Sequence, residues 1–206
     1  WWTREFMTQV LNSARELGRK FDVDPHHAEN VANLSRQLFH VLQKEHQLAA
    51  HYEILLTVAA LVHDVGLYVS TRSHHKHSMY LILNSEIFGL GTRDQLLSAL
   101  IARYHRKATP RPTHDGYTSL DRESRVAVAK LAAILRVADA LDRQHRAHRR
   151  RPQMEISGGE LIITFNTTGD LMLEKHALEA KGQMFKQVYG MDVVLRNTRR
   201  TVSNEH

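Results

Sequence analysis

Cysteine is absent from the 206 residues of this chain. That excludes disulfides and thiolate metal sites, and makes a cytoplasmic location the default expectation. Long apolar runs are missing as well. No window approaches the roughly 18 apolar residues needed to cross a bilayer, and no secretory signal pattern is visible, so no membrane partner is expected. There is no internal repeat, no low-complexity segment, and no zinc-finger spacing, RNP block or helix-turn-helix pattern. Sequence-specific nucleic-acid recognition therefore has no support. An initiator Met is missing too: the chain opens "WWTREF", as expected of a fragment or a trimmed chain.

What is present is an ordinary soluble balance, 42% hydrophobic and 24% charged. A net charge of +6 favours an anionic partner such as phosphate, nucleotide or nucleic acid. Histidine is abundant, with 15 copies, and without cysteine the natural metal ligands are His and Asp.

Hydrophobic periodicity places helices over 3–21, 25–47 and 51–64, a short one over 75–85, and two more over 92–106 and 122–146. Asp24 and Pro25 supply an N-cap and a first helical residue, and Thr92 with Gln95 reads as a capping box. The stretch 107–121, "KATPRPTHDGYTSLD", reads as a loop. Composition changes after "RRRPQ". Two extended runs flank Gly158 and Gly159, Asp170 caps a helix over 171–188, and "MDVVLR" reads as a strand. The expected fold is mainly α: a helical domain over 1–151, a small α/β unit of order β-β-α-β over 152–198, and a frayed tail over 199–206.

Three ionisable residues occupy faces where leucine is expected. His27 precedes Val31 by four residues and Leu34 by seven; His63 follows Ala59 by four; Asp139 follows Leu135 by four. An unpaired carboxylate in a core is too costly to keep charged. Several such groups converging are explained by a divalent metal among them. Asp64 adds to the pattern. It ends the apolar helix "LTVAALVHDVG", where the dipole disfavours a carboxylate, so a positive neighbour is required.

The order H…HD…D, at His27, His63–Asp64 and Asp139, resembles the HD-domain metal-dependent phosphohydrolases. More narrowly, "DPHHAENVANLSRQLF", "AALVHDVGLYVS", "HHKHSMYLILNS", "IARYHRK" and "LAAILRVADALDRQHR" together resemble the C-terminal HD-type region of the exopolyphosphatase/guanosine-pentaphosphate phosphatase family. The tail from Glu160 to Leu195 resembles the small domain that follows it there. The resemblance implies an all-helical HD bundle with His27, His63, Asp64 and Asp139 on one divalent ion (Mn, Mg, Fe, Co, Ni or Zn). His63 and Asp64 would form the catalytic pair. It also implies a possible second ion at His77 and His105, with His74 and His75 as weaker candidates. The expected chemistry is metal-assisted hydrolysis of a phosphate ester or anhydride. Cations must then hold the phosphate charge, and the candidates are Lys76, Arg103, Arg106, Lys107, Arg136 and Arg143. His40, His46, His51, His114 and His176 are expected at the surface. The lysine and GYP block of HD-GYP relatives are missing, since Leu67 follows Gly66.

In the family that the five blocks resemble, phosphate chemistry belongs to an actin-like N-terminal pair of domains with glycine-rich phosphate loops, and no such loop is read in these 206 residues. The alternative is therefore a non-catalytic regulatory module, binding polyphosphate or a guanosine alarmone. A homodimer is open under either reading.

Overall fold

The computed structural model describes residues 2–145 and 151–198. Expectations for 146–150 and for the tail 199–206 lie outside the described residues. The molecule is mainly helical with a small three-stranded sheet at its C-terminal end. The helices are α1 (Arg4–Lys20), α2 (Pro25–Val41), the single turn α3 (Gln43–His46), α4 (His51–Val62), α5 (His74–Leu83), α6 (Thr92–Arg103), α7 (Arg122–Leu141) and α8 (Met172–Tyr189). A 3-10 turn, Val65–Tyr68, links α4 to α5. Strand β1 (Gln153–Ser157) pairs antiparallel with β2 (Glu160–Phe165), and β2 pairs parallel with β3 (Asp192–Asn197).

Helix α4 is the hub. It is buried at Tyr52 and continuously from Ile54 to Val62, and it packs against α1, α2, α6 and α7. A helix buried on nearly every side belongs inside a bundle, and this one delivers its C-cap residue, His63, into the core. Asp24 caps α2 by accepting from the N–H groups of His26 and His27, with Pro25 at the first position. Asp121 caps α7 by accepting from Ser124 N. Glycines 158 and 159, both at positive φ, form the two-residue turn between β1 and β2. One buried cluster runs from Val10 of α1 through α7 to Phe165, Leu178 and Phe185, so the sheet and α8 share the core of the bundle. Among the described residues, no helix is long and apolar enough to cross a membrane.

Three local expectations are corrected. The helix expected over 25–47 breaks at Leu42, and His46 is buried, not surface: its Nε2 lies 2.8 Å from Phe39 O and its Nδ1 accepts from Leu48 N. Thr92 and Gln95 form no capping box. Gly91 is the N-cap, and Gln95 donates instead to the carbonyls of Ile82 and Ser85 at the end of α5. Helix α7 stops at Leu141 instead of near residue 146, because the chain turns at Asp142 and His145 adopts positive φ.

Candidate metal centre and adjoining basic cleft

His27 begins the buried face of α2, His63 ends α4, and Asp139 lies near the end of α7. Their polar atoms meet: His27 Nε2 is 3.3 Å and His63 Nε2 3.7 Å from the same Asp139 oxygen, Oδ1. Asp64 supplies both its oxygens. Oδ2 faces His63 Nε2 at 3.4 Å and His27 Nε2 at 3.8 Å. Oδ1 faces His74 Nε2 at 3.3 Å and His105 Nε2 at 3.6 Å. The carboxylate thus stands between two donor sets.

The ring orientations are fixed from behind. His63 Nδ1 lies 2.7 Å from Ala60 O and His105 Nδ1 lies 2.6 Å from Ala102 O, so each donates to its own helix and turns an Nε2 lone pair inward. His27 Nδ1 is held at 2.8 Å by Asp142 Oδ2, the carboxylate–histidine arrangement that orients metal ligands. The His145 ring stacks on that of His27, with centroids 3.9 Å apart. Close approach of α5 brings His74 in. A Cβ on Gly66 would lie 2.1 Å from His74 O, while Ser78 Oγ accepts from Gly66 N and donates to His63 O.

Burial disfavours every charge here, yet the charges support one another. The carboxylates of Asp139 and Asp142 outweigh burial at His27 and push it up to about 9. His63 is raised against its own burial by Asp64 and Asp139. Asp64 is held far below the carboxylate range, burial being outweighed by His63, His74 and His105. For Asp139, Lys181 and the two nearest imidazoles do the same. Burial, then the charge of His63, pushes His105 down, leaving it a neutral donor. His63 Nε2 is buried and has no hydrogen-bond partner among the described residues. A buried, unpartnered lone pair aimed at two carboxylates fits a divalent cation. Two overlapping donor groups meet the spacing for one, His27–His63–Asp139 and His63–Asp64–His105.

Of the two histidines considered for a second ion, His105 joins the cluster and His77 does not. His77 is half-buried and belongs to neither group of converging donor atoms found among the described residues. His74 stands in that place, its Nε2 3.1 Å from His105 Nε2. His75 is half-buried and is pushed down to about 4 by burial and by its neighbours His74 and Arg103.

A cleft of about 470 Å³ adjoins the cluster between α7, the start of the 107–121 loop and α8, and it is lined by Arg106, Lys107, Arg136, Arg143 and Lys181. Four of the six predicted phosphate-binding cations therefore lie together. Arg103 and Lys76 do not line this cleft. Arg103 Nη1 is 3.3 Å from Met79 Sδ and its guanidinium lies near the Tyr104 ring, while Lys76 is exposed. Arg136 is directed elsewhere within the cleft wall: it donates to the carbonyls of Tyr104 and Ala108, anchoring the loop, and burial lowers it to about 10. It pairs with no carboxylate among the described residues.

Two contributors escaped the sequence reading. Asp142 follows Asp139 by three residues on the same helical side, a signal present in "ADALD". Lys181 pairs with Asp139 Oδ2 across α7 and α8, and no local pattern announces it.

Residues 11–183 match the family model described as "Ppx/GppA phosphatase, domain III". The chain belongs to the Ppx/GppA phosphatase family. Relatives within it include the guanosine-5'-triphosphate,3'-diphosphate pyrophosphatase of Aeromonas hydrophila, 27% identical over 84% of this chain and 34% of that protein. The enzyme of the same name from Photobacterium profundum is 26% identical over 76% of this chain and 30% of its own length. That of Pseudoalteromonas translucida is 28% identical over 56% and 24%. The Ppx/GppA match thus covers about a third or less of the length of these relatives.

Proposed function

We infer that this chain is a divalent-metal-dependent phosphohydrolase of the HD type, acting on a phosphorylated small molecule, nucleotide or polyphosphate. The observation that carries the reading is the unpartnered, buried His63 Nε2 facing Asp64 and Asp139 beside a cleft lined with cations. His27, His63, Asp64 and Asp139 would hold one ion, and Asp64, His74 and His105 a second. The names of the relatives support a nucleotide as substrate.

When bound, a divalent ion in this position supplies polarisation of a phosphoryl oxygen and acidification of water. The chain's own residues do the rest. Asp142 keeps the proton of His27 on Nδ1, so that Nε2 remains a donor. Ala60 and Ala102 do the same for His63 and His105. Arg106, Lys107, Arg143 and Lys181 line the cleft as fixed positive charge for the phosphate oxygens. Arg136 holds the loop that carries Arg106 and Lys107.

A second reading, a regulatory module that binds polyphosphate or a guanosine alarmone without turnover, is favoured by one observation: the match spans only 34% of the length of the Aeromonas relative. Phosphate release from nucleotides, guanosine alarmones and polyphosphate, each with Mn, Mg, Ni or Co and without metal, separates the two. Metal-dependent turnover abolished by Asp64→Ala supports the enzyme. A folded, ion-loaded protein that binds these anions and releases nothing supports the module.

A further inference from the structure

Two cations touch both the donor cluster and the cleft. Lys181 Nζ, on a side chain that is only 17% exposed, pairs with Asp139 Oδ2. Arg106 Nη1 lies 3.1 Å from His74 Nδ1. A guanidinium only donates, so His74 Nδ1 accepts and the ring's proton sits on Nε2. That proton points at Asp64 Oδ1 and His105 Nε2, where a ligating lone pair would have to be. Both cations also line the cleft.

We propose that Lys181 and Arg106 are built-in stand-ins for the metal, displaced from Asp139 and His74 when ions bind and handed over to an anion in the cleft. The proposal rests on the metal-site reading above and extends it to how the site is regulated. At Asp139 the logic is charge. An ammonium beside a carboxylate that gains a divalent ion loses its attraction to the oxygen and is repelled by the ion. At His74 the logic is a proton. Ligation through Nε2 moves the ring proton to Nδ1, which then donates to Thr71 O, now 3.4 Å away. An N–H of Arg106 cannot stay opposite another N–H. Each released cation already stands in the wall of the cleft, where a phosphate accepts its hydrogen bonds. Ion binding and anion binding are then reciprocally coupled: each raises the affinity for the other. Arg106 and Lys181 have opposite partners, one an imidazole and one a carboxylate, yet both converge on the same outcome.

The test uses the whole chain, with MnCl2 and inorganic phosphate as probes in calorimetric titrations. Lys181→Met, which removes the competing cation, is expected to bind Mn roughly tenfold more tightly than the parent, and to lose most of the Mn-dependent rise in phosphate affinity. Lys181→Arg, which keeps the charge, is expected to stay within about twofold of the parent, a retention that packing alone would not predict. A readout on the unaltered protein stands beside the variants: acetylation of Lys181, followed by mass spectrometry. It is expected to be slow in ion-free protein, faster with Mn, and slow again with Mn and phosphate. Equal Mn affinity in the parent and Lys181→Met, or an acetylation rate indifferent to Mn, overturns the proposal. Mn-dependent turnover accompanied by either result would leave the phosphohydrolase standing and remove only the stand-in role. Coupled binding without turnover on any substrate would do the reverse. Failure of the parent and of Lys181→Met alike to bind Mn overturns both.

Discussion

At the scale of single residues, the donor set is defined by what stands behind it. Asp142 touches no position an ion would take; it fixes the proton on His27 Nδ1. Asp142→Asn keeps the shape but weakens that hold. Ion affinity is expected to fall about 10–100-fold, the range for partners that orient metal ligands, with the fold intact by circular dichroism. The charges also give the ion-free protein a defined pH profile. His27 lies at about 9, above its ordinary 6.5, so its charge stabilises the folded state fully below 6.5 and the contribution is lost as pH rises through about 9. Asp64 and Asp139 are displaced downward from 3.8, so their contribution is present above that value and is lost on acidification. Urea midpoints of chelated protein should therefore fall between neutral and alkaline pH. Loading with Mn should flatten that fall, because a ligating His27 is neutral throughout. How much of this was legible is a matter of direction of view. His27, His63 and Asp139 stand out in the sequence because each interrupts an apolar stripe on its own helix. Lys181 interrupts nothing: it is one lysine on a mixed helix, and only the packing of α8 on α7 gives it a role.

At the scale of elements, the contact between the Val65–Tyr68 turn and α5 sets which histidine enters the site. The sequence shows three candidate histidines in "HHKH" and Gly66 as a helix breaker, but not the register of one against the other. The register comes from steric contact. Gly66 lets the backbone of α5 pass at a distance no side chain permits, and Ser78 ties the two pieces together at 2.9 Å and 2.6 Å. His74 consequently faces Asp64, while His77, almost one turn further on, does not. Gly66→Ala must push α5 away. A loss of about 1–3 kcal/mol is expected from overpacking, together with loss of the second donor set, read as a drop in ion stoichiometry by elemental analysis. The same limit explains Gln95. Its spacing from Thr92 fits a local cap, but the carbonyls of Ile82 and Ser85, at and just beyond the end of α5, capture its amide.

At the scale of the whole molecule, helical content and the β-β-α-β tail were legible from periodicity and turn residues, because both are local signals. The core that bundle and tail share was not. Composition shifts after "RRRPQ" as it would at a boundary, yet Leu161, Ile163, Phe165, Leu178 and Phe185 are buried in one cluster with α7. Helix α8 also forms one wall of the basic cleft and carries Lys181. Truncation after residue 145 would uncover the apolar flank of α7 and leave Asp139 without its ammonium partner. The shortened chain is expected to lose cooperative thermal unfolding and to bind a hydrophobic dye, whereas two independent units would leave the bundle's transition unchanged.

Asp64 faces His27 and His63 with one oxygen and His74 and His105 with the other, across the two bonds of a single rigid carboxylate. Such a group works as a rocker. Drawing Oδ2 towards an occupant on one side swings Oδ1 on the other, and the helix end that carries it allows no independent adjustment. Loading would then follow an order, the first occupant setting the angle at which the second is received. A Mn titration of the intact protein should show two unequal, linked steps, and Asp64→Ala should abolish the linkage along with the weaker step.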